Sequence, residues 1–201
     1  MLKKIYIIAV VMLILAAGVI GSNSLEAASV ESKNPYDFTL KDVNGKSHSL
    51  ADFKDAKAVV VVYVATRCPI SNAHNKRMAE LYKEFKAKNI AFIGINSNKM
   101  EGVDEIKEHA QKHGLSFPIL KDVNNVVADR YKASVTPEAY VLGKNWELLY
   151  HGRIDDSRRE NQVKSQDLNQ ALMEIIKDKE VTVKKTKAFG CTIKRVKKEE
   201  K

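Results

Sequence analysis

The strongest fold signal in the chain is residues 59–81, VVVVYVATRCPISNAHNKRMAEL. It opens with four valines, a tyrosine and a fifth valine, an unbroken β-branched and aromatic run typical of a strand buried on both faces of a sheet. From Met78 to Phe85, apolar residues recur at three- and four-residue spacing, with charged residues between them. This second pattern predicts an amphipathic helix directly after the buried strand.

Arg67, Cys68 and Pro69 join the predicted strand to the predicted helix. Proline suits the first position of a helix, so Cys68 is expected at or beside the helix N-cap. The unpaired N–H groups at this end of the helix, and the charge of Arg67, favour thiolate over thiol. The alternative is a small buried apolar side chain, which is the usual state of a lone cysteine. The combined features favour a reactive Cys68.

The first 28 residues have the composition of an export signal. Lys3 and Lys4 precede an apolar run over residues 5–20, and a small or polar stretch follows it. The run is short for a membrane span and long for the core of a cleaved signal. We therefore expect an extracytoplasmic protein, either secreted after cleavage or attached to the membrane through residues 5–20.

The rest of the chain is expected to form one domain, residues 29–178, followed by a basic tail, residues 179–201. The net charge of +9 is concentrated at the end: residues 177–201 carry ten lysines or arginines against four acidic residues. Such a segment is expected to be solvated and partly disordered. No nucleic-acid-reading motif is present in the sequence, and neither a nucleic-acid partner nor a cofactor is expected.

The remaining patterns predict an α/β domain. A second buried strand is expected over residues 90–95, so that strand, helix and strand form a right-handed parallel unit. Further elements are expected as helices over residues 103–113, 124–131 and 165–177, a short strand over 117–120, and an antiparallel hairpin of strands 135–142 and 146–154. The charged residues after that hairpin, Asp155, Asp156, Arg158 and Arg159, are expected to form a solvated loop.

Cys68 and Cys191 are the two cysteines of the chain. In an oxidising compartment an even pair favours a disulfide. A permanent bond would close a loop of more than 100 residues and stabilise the fold by roughly 4 to 5 kcal/mol in the chain-entropy model. A structural crosslink and a redox-active pair are therefore both open at this point.

The order of elements, VYVATRCPIS around Cys68, the later VTPEAYVL and the closing LLYHGRIDD resemble the thioredoxin superfamily over residues 35–177. More narrowly they resemble its exported redoxin branch, related to the peroxiredoxins of AhpC/TSA type. The resemblance implies a three-layer sandwich with a central mixed sheet flanked by helices. It also implies a cis bond between Thr136 and Pro137, facing Cys68, with the backbone of Thr136 available to pair with a substrate chain.

Two family patterns are not matched. Thioredoxins carry C-x-x-C, whose second cysteine releases the mixed disulfide, whereas this chain has Cys68-Pro-Ile-Ser71. Ser71 is expected to cap backbone N–H groups, with a hydrogen bond to the thiolate as the alternative. Peroxiredoxins carry P-x-x-x-T-x-x-C, but Val61 and Ala65 occupy those proline and threonine positions, which weakens the case for peroxidase activity.

We therefore expect a thiol-based oxidoreductase in which the Cys68 thiolate attacks a disulfide or a peroxide. Cys191, on a mobile tail, would resolve the intermediate, and an external thiol would reduce the resulting disulfide. By resemblance, the residues expected to contact the substrate are Arg67, Pro69, Ser71, Thr136 and Pro137.

Two alternatives use the same fold without this chemistry. One is a metal-binding module, but His109 and His113 lack a third ligand near them in sequence and are expected to be exposed helix residues. No metal is expected. His74, two turns from Cys68, is expected to be solvated. The other alternative is a non-catalytic domain held together by a structural Cys68–Cys191 disulfide.

Overall fold

A five-stranded mixed sheet lies at the centre of the protein in the computed structural model, which describes residues 34–197. The strands in chain order are Thr39–Lys41 (β1), Ser47–Ser49 (β2), Ala58–Tyr63 (β3), Ile90–Asn96 (β4), Ile119–Lys121 (β5), Val135–Thr136 (β6), Glu138–Leu142 (β7), Leu148–Gly152 (β8) and Cys191–Thr192 (β9). The central sheet has the order β5-β4-β3-β7-β8, while β1 pairs with β2 and β6 pairs with β9.

Helices flank this sheet. They are Pro69–Lys86 (α1), Val103–Lys112 (α2), Val126–Tyr131 (α3) and Asp167–Ile176 (α4), with short 3₁₀ helices at Leu50–Phe53 and Glu160–Gln162. The predicted central mixed sheet flanked by helices is therefore confirmed.

Strand β3 is the middle strand and is buried along its whole length. It pairs in parallel with β4, with Val61 opposite Ile93, and antiparallel with β7, with Val61 opposite Tyr140. Alternate residues of β3 enter two cores on opposite faces. Val60 packs with α1, α2 and α4, and Val61 packs with α3 and the 3₁₀ helix at residues 50–53. The valine run is continuous because both of its faces are covered by apolar side chains.

Several predicted element boundaries shift, and the predicted hairpin strand over residues 135–142 divides at Pro137 into β6 and β7, of which only β7 pairs with β8. Strand β8 begins at Leu148 rather than at position 146, because Trp146 has a φ of 64° and closes the turn of the hairpin. Strand β5 begins at Ile119, after Pro118, which lacks the N–H that a strand pair needs.

The described part of the C-terminal tail is packed on the domain, and the expectation of a solvated, mobile end is wrong for it. Val181 and Ile193 are buried in the two cores, and β9 pairs with β6. The lysines between these anchors remain exposed. The charged side chains of the tail therefore lie on its solvent-facing side. The tail is held on the domain by two apolar side chains and by backbone pairing.

The predicted export segment, residues 1–28, lies outside the described residues. Among the helices between residues 34 and 197, none combines the length and apolarity needed to cross a membrane.

Candidate active site

Cys68 is the N-cap residue of α1, as predicted, and Pro69 occupies the first turn. Its backbone is extended, with φ −89° and ψ 114°, so the chain leaves the sheet and enters the helix at this residue. The Ser71 N–H donates to Cys68 Sγ at 3.3 Å. Only 3% of Cys68 is exposed. The sulfur therefore replaces the oxygen of an ordinary N-cap side chain and accepts a helix N–H.

The loop before β7 faces this sulfur. The Thr136–Pro137 peptide bond is cis, as the resemblance implies. Cys68 Sγ lies 3.2 Å from the carbonyl oxygen of Thr136, to which the thiol donates. The side-chain oxygen of Thr136 is buried and has no nitrogen or oxygen partner within residues 34–197. Thr136 and Pro137, which are distant from Cys68 in the sequence, thus line one side of its sulfur.

Cys191 completes this site from the C-terminal tail. In the β6–β9 pair it stands directly opposite Thr136. Its side chain and its N–H lie close enough to the sulfur of Cys68 to lower the pKa of that thiol. The two cysteines are unbonded thiols, Cys68 buried and Cys191 half-buried. A pairing of the two cysteines was expected from the sequence. The structure brings them together because Cys191 lies on a strand that pairs with β6, and not on a mobile tail.

The two thiols differ in acidity. Burial raises the pKa of Cys68, but the side chain of Cys191, the Ser71 N–H and the hydroxyl of Thr136 favour the thiolate, outweigh burial and leave the pKa below its usual value. Burial raises the pKa of Cys191, and the hydrogen bond and charge of Cys68 raise it further. The first proton lost from the pair therefore leaves its negative charge on Cys68.

Glu101 supports the loop before Cys68, and sequence reasoning missed it. Glu101 is 4% exposed, and its carboxylate accepts the N–H groups of Thr66 at 2.8 Å and Arg67 at 3.1 Å. The side-chain amide of Asn96 also donates to it. No local pattern in the sequence marks Glu101, because its partners come from another loop and from the end of β4.

The charge of Arg67 was expected to favour the thiolate of Cys68, but the structure pairs Arg67 with Glu105. Its guanidinium group donates to Glu105 through Nε at 2.9 Å and Nη2 at 2.6 Å, and its side chain is largely exposed. The hydrogen bonds from Arg67 and Thr66 hold the pKa of Glu105 near 2. Because this carboxylate balances the charge of Arg67, hydrogen bonds rather than the arginine account for the acidity of Cys68.

A second group of buried polar side chains joins α1 to the loop after β8. His74 Nδ1 contacts the carbonyl oxygen of Ile70 at 2.7 Å, and Nε2 contacts Asp155 Oδ1 at 3.2 Å. The guanidinium of Arg77 binds the other oxygen of Asp155. Phe189 of the tail packs edge-on against His74, with ring centroids 5.9 Å apart. The expectations of a solvated His74 and a solvated loop at Asp155 are therefore wrong, because each is the other's buried partner.

The expectation for His109 and His113 is also corrected. Both are half-buried, their rings lie 4.3 Å apart, and the side-chain amide of Asn75 contacts His109 at 2.9 Å. Within residues 34–197 there is no group of three or more His, Cys, Asp or Glu side chains that could hold a metal ion.

Comparison with known proteins places the chain in a family. Residues 31–151 match the model of the AhpC/TSA family. The chain belongs to the AhpC/TSA family. It is 30% identical over 122 residues to the thiol-disulfide oxidoreductase ResA of Geobacillus kaustophilus, which covers 61% of this chain and 68% of that protein. It is also 30% identical over 145 residues to the chloroplastic peroxiredoxin Q of Sedum lineare, which covers 68% of this chain and 76% of that protein.

A solved structure gives the same result for the fold of this AhpC/TSA protein. A protein from Sinorhizobium meliloti 1021 superimposes with a TM-score of 0.76 and 31% identity, over 81% of this chain and 93% of that one. The thioredoxin-like fold and the redoxin branch predicted from the sequence are confirmed, and the chain is an oxidoreductase.

In this AhpC/TSA chain, the structure gathers most of the predicted site residues. Those that surround the Cys68 sulfur or its helix start are Pro69, Ser71, Thr136, Pro137 and Cys191. Ser71 contributes its N–H to Cys68, while its hydroxyl oxygen accepts the Ala65 N–H at 3.2 Å. The side chain of Ser71 therefore caps backbone, as expected, and its main chain supports the thiolate.

Proposed function

We propose that this protein is a thiol-disulfide oxidoreductase in which Cys68 is the attacking thiolate and Cys191 the resolving thiol. One observation carries the proposal: strand β9 holds Cys191 directly opposite Thr136, whose carbonyl oxygen lies 3.2 Å from Cys68 Sγ, and the pKa values of the two thiols are shifted in opposite directions. A low pKa supplies the nucleophile, and a neighbouring thiol supplies the group that resolves the intermediate.

The first half of the reaction oxidises the protein. Cys68 Sγ⁻ attacks one sulfur of a substrate disulfide RS–SR, so that a Cys68–SR bond forms and RS⁻ leaves. Cys191 then loses its proton, to RS⁻ or to water, and attacks Cys68 Sγ, which expels the second RS⁻. The substrate gains two electrons and two protons as two thiols, and the protein becomes a Cys68–Cys191 disulfide.

The second half reduces the protein again and needs an external thiol reductant. Cys191 is the more exposed of the two residues, so we expect the incoming thiolate to attack its sulfur first. Attack at Cys191 releases Cys68 as the leaving group, and a thiol with a low pKa leaves faster. A second thiol of the reductant then attacks the reductant sulfur of this mixed disulfide. Cys191 is released as a thiol, and the reductant leaves as a disulfide.

A peroxide is the second candidate substrate, supported by the similarity to a peroxiredoxin. Cys68 Sγ⁻ would attack a peroxide oxygen, giving a sulfenic acid and an alcohol or water, and Cys191 would condense with the sulfenic acid to release water. Val61 and Ala65 stand where the resemblance places the peroxide-binding proline and threonine. Val61 is buried in the core and not exposed to a substrate, so disulfide exchange is the better-supported reaction.

For location, we propose an extracytoplasmic protein that is secreted or attached to the membrane through residues 5–20. The support is the charged and then apolar composition of residues 1–28. The sequence of the mature N-terminus, read after cell fractionation, tests the cleaved form against the anchored one. The domain boundaries proposed with it are residues 29–178 for the redoxin domain and 179–201 for the tail.

The test is the reaction of the reduced protein with dithionitrobenzoate, a small disulfide that releases a yellow thiolate. We expect about two thionitrobenzoate ions per wild-type chain and a Cys68–Cys191 disulfide in the peptide map. Cys191→Ser should release one and retain the other on Cys68. Cys68→Ser should react slowly and only at Cys191. Rapid release by Cys68→Ser, or a wild-type product without the intramolecular bond, would contradict the proposal and favour a structural or non-catalytic role.

A further inference from the structure

The backbone edge beside Cys68 is occupied by the chain itself. Cys191 pairs with Thr136, and two residues later the Ile193 N–H donates to the carbonyl oxygen of Ser134 at 3.0 Å. Gly190 passes so close to Thr136 that a side chain there would overlap the Thr136 carbonyl group. We name residues 190–196 the docked segment.

Contacts beyond this strand pair hold the docked segment mainly by its backbone. The N–H of Lys194 donates to the side-chain oxygen of Asn98 at 2.8 Å, and the N–H of Val196 donates to that of Asn125 at 2.8 Å. Both asparagines are buried. Ile193 is 3% exposed and forms part of the core. The guanidinium group of Arg195 adds hydrogen bonds to Asp129 and to the carbonyl oxygen of Ala133. Around Cys191 itself the site therefore recognises an extended chain through its main-chain groups, with Ile193 as an apolar anchor.

The same geometry applies to a polypeptide substrate. Since Cys68 Sγ lies 3.2 Å from the Thr136 carbonyl oxygen, a cysteine in a polypeptide that approaches this sulfur brings its own backbone alongside β6. The docked segment is a cysteine on an extended strand in that arrangement. A small disulfide or peroxide has no flanking chain and needs no such edge.

We propose that the docked segment is an intramolecular occupant of a strand-addition site for cysteine-bearing polypeptides, and that it restricts Cys68 to small sulfur or oxygen electrophiles while it is bound. This inference rests on the proposed function and narrows its substrate class. A tethered strand competes at an effective concentration of about millimolar, so a dilute polypeptide disulfide enters only after the segment leaves.

The experiment measures one exchange step, independent of turnover. In a Cys191→Ser background, Cys68 reacts with two reagents that carry the same thionitrobenzoate leaving group on a cysteine. One is N-acetylcysteine amide, and the other is the peptide Phe-Gly-Cys-Thr-Ile-Lys, which reproduces residues 189–194. In each case a Cys68–cysteine disulfide forms and thionitrobenzoate leaves. A third reagent, the peptide with proline in place of isoleucine, lacks the N–H that would pair with Ser134.

Two substitutions release the docked segment. Gly190→Ala adds one carbon that collides with β6, and Ile193→Asn removes the apolar anchor. Gly102→Ala is the matched control, because the same carbon there meets no atom within 4 Å. Hydrogen exchange at the amide of residue 193 reports release of the segment directly.

We expect the ratio of peptide rate to small-reagent rate to rise about tenfold or more in both releasing variants and to stay at its starting value in Gly102→Ala. The proline peptide should show no such rise. A ratio unchanged by both releasing variants, a ratio already high with the segment docked, or no reaction of Cys68 in the released protein would overturn the inference. Failure of the wild type to form a Cys68–Cys191 disulfide would instead overturn the proposed function.

Discussion

Cys191 stands opposite Thr136 in a two-residue antiparallel pair, and the carbonyl oxygen of Thr136 lies 3.2 Å from Cys68 Sγ. The resolving thiol is thus positioned by a main-chain register rather than by a long, mobile arm. Because a two-residue pair contains few hydrogen bonds, its position depends on the buried Ile193 and on the asparagines that bind the following backbone.

The first concerns the acidity of the two thiols. The pKa of Cys68 is lowered and that of Cys191 is raised, so at neutral pH a larger fraction of Cys68 is thiolate. We expect iodoacetamide to alkylate Cys68 several times faster than Cys191, because the thiolate is the form that reacts. Mass spectrometry of quenched samples over a range of pH measures both rates. Equal, slow rates would contradict the assignment.

The second prediction isolates the hydroxyl of Thr136. Thr136→Val keeps the shape of the side chain but removes a group that lowers the pKa of Cys68, so alkylation of Cys68 should shift to higher pH. The free energy of unfolding should change by less than about 1 kcal/mol, because that buried hydroxyl has no nitrogen or oxygen partner within residues 34–197. Thr136→Ser is the control and should retain the wild-type profile. An unshifted profile in the valine variant would exclude this role.

The third prediction concerns Glu101. In Glu101→Gln one carboxylate oxygen becomes an NH₂ group, which faces N–H donors from the loop before Cys68. We expect a loss of about 1–3 kcal/mol in the free energy of unfolding, measured by urea denaturation. Glu105→Gln breaks only an exposed pair with Arg67 and a contact with Thr66, and should destabilise less. The reverse order would show that the loop does not depend on Glu101.

The fourth prediction concerns the buried pair of His74 and Asp155. Burial raises the pKa of Asp155, but its bond to His74 and the charge of Arg77 bring it below the usual 3.8. Its stabilising contribution is therefore present above pH 3.8 and is lost as the pH falls through the lower value in the folded state. Asp155→Asn should lose about 3 kcal/mol at neutral pH, and the difference from wild type should shrink in acid.

Urea denaturation at neutral and acidic pH measures this difference. Glu160→Gln, which removes an exposed partner of Lys76, is the matched control and should leave the unfolding midpoint nearly unchanged. A difference between Asp155→Asn and wild type that does not vary with pH would show that the carboxylate charge is not what stabilises the fold.

The part of the site that depends on local sequence was predictable. Cys68 as the N-cap and Pro69 in the first turn follow from a strand pattern that ends and a helix pattern that begins within five residues. The cis bond before Pro137 was inferred from a resemblance, since a proline by itself favours the trans form.

The tail was mispredicted because its charge dominates its composition. Val181 and Ile193 are isolated apolar residues among lysines, and no periodic pattern marks them as anchors. Their partners are also distant. Asn98 and Asn125, which bind the tail backbone, are separated from it by 96 and 71 positions. His74 and Asp155 were misread for the same reason, because a polar side chain is buried only where a distant partner satisfies it.

The central strand, the helix after it and the cysteine between them could be predicted from the sequence, because they depend on side-chain spacing and on residues adjacent in the chain. The position of Cys191 beside Cys68, the support that Glu101 gives to the loop before Cys68, and the pairing of the tail with β6 became known from the folded structure. Each of these is a contact between segments far apart in the chain, and such contacts follow from how the sheet and loops bring polar and apolar groups together rather than from local pattern.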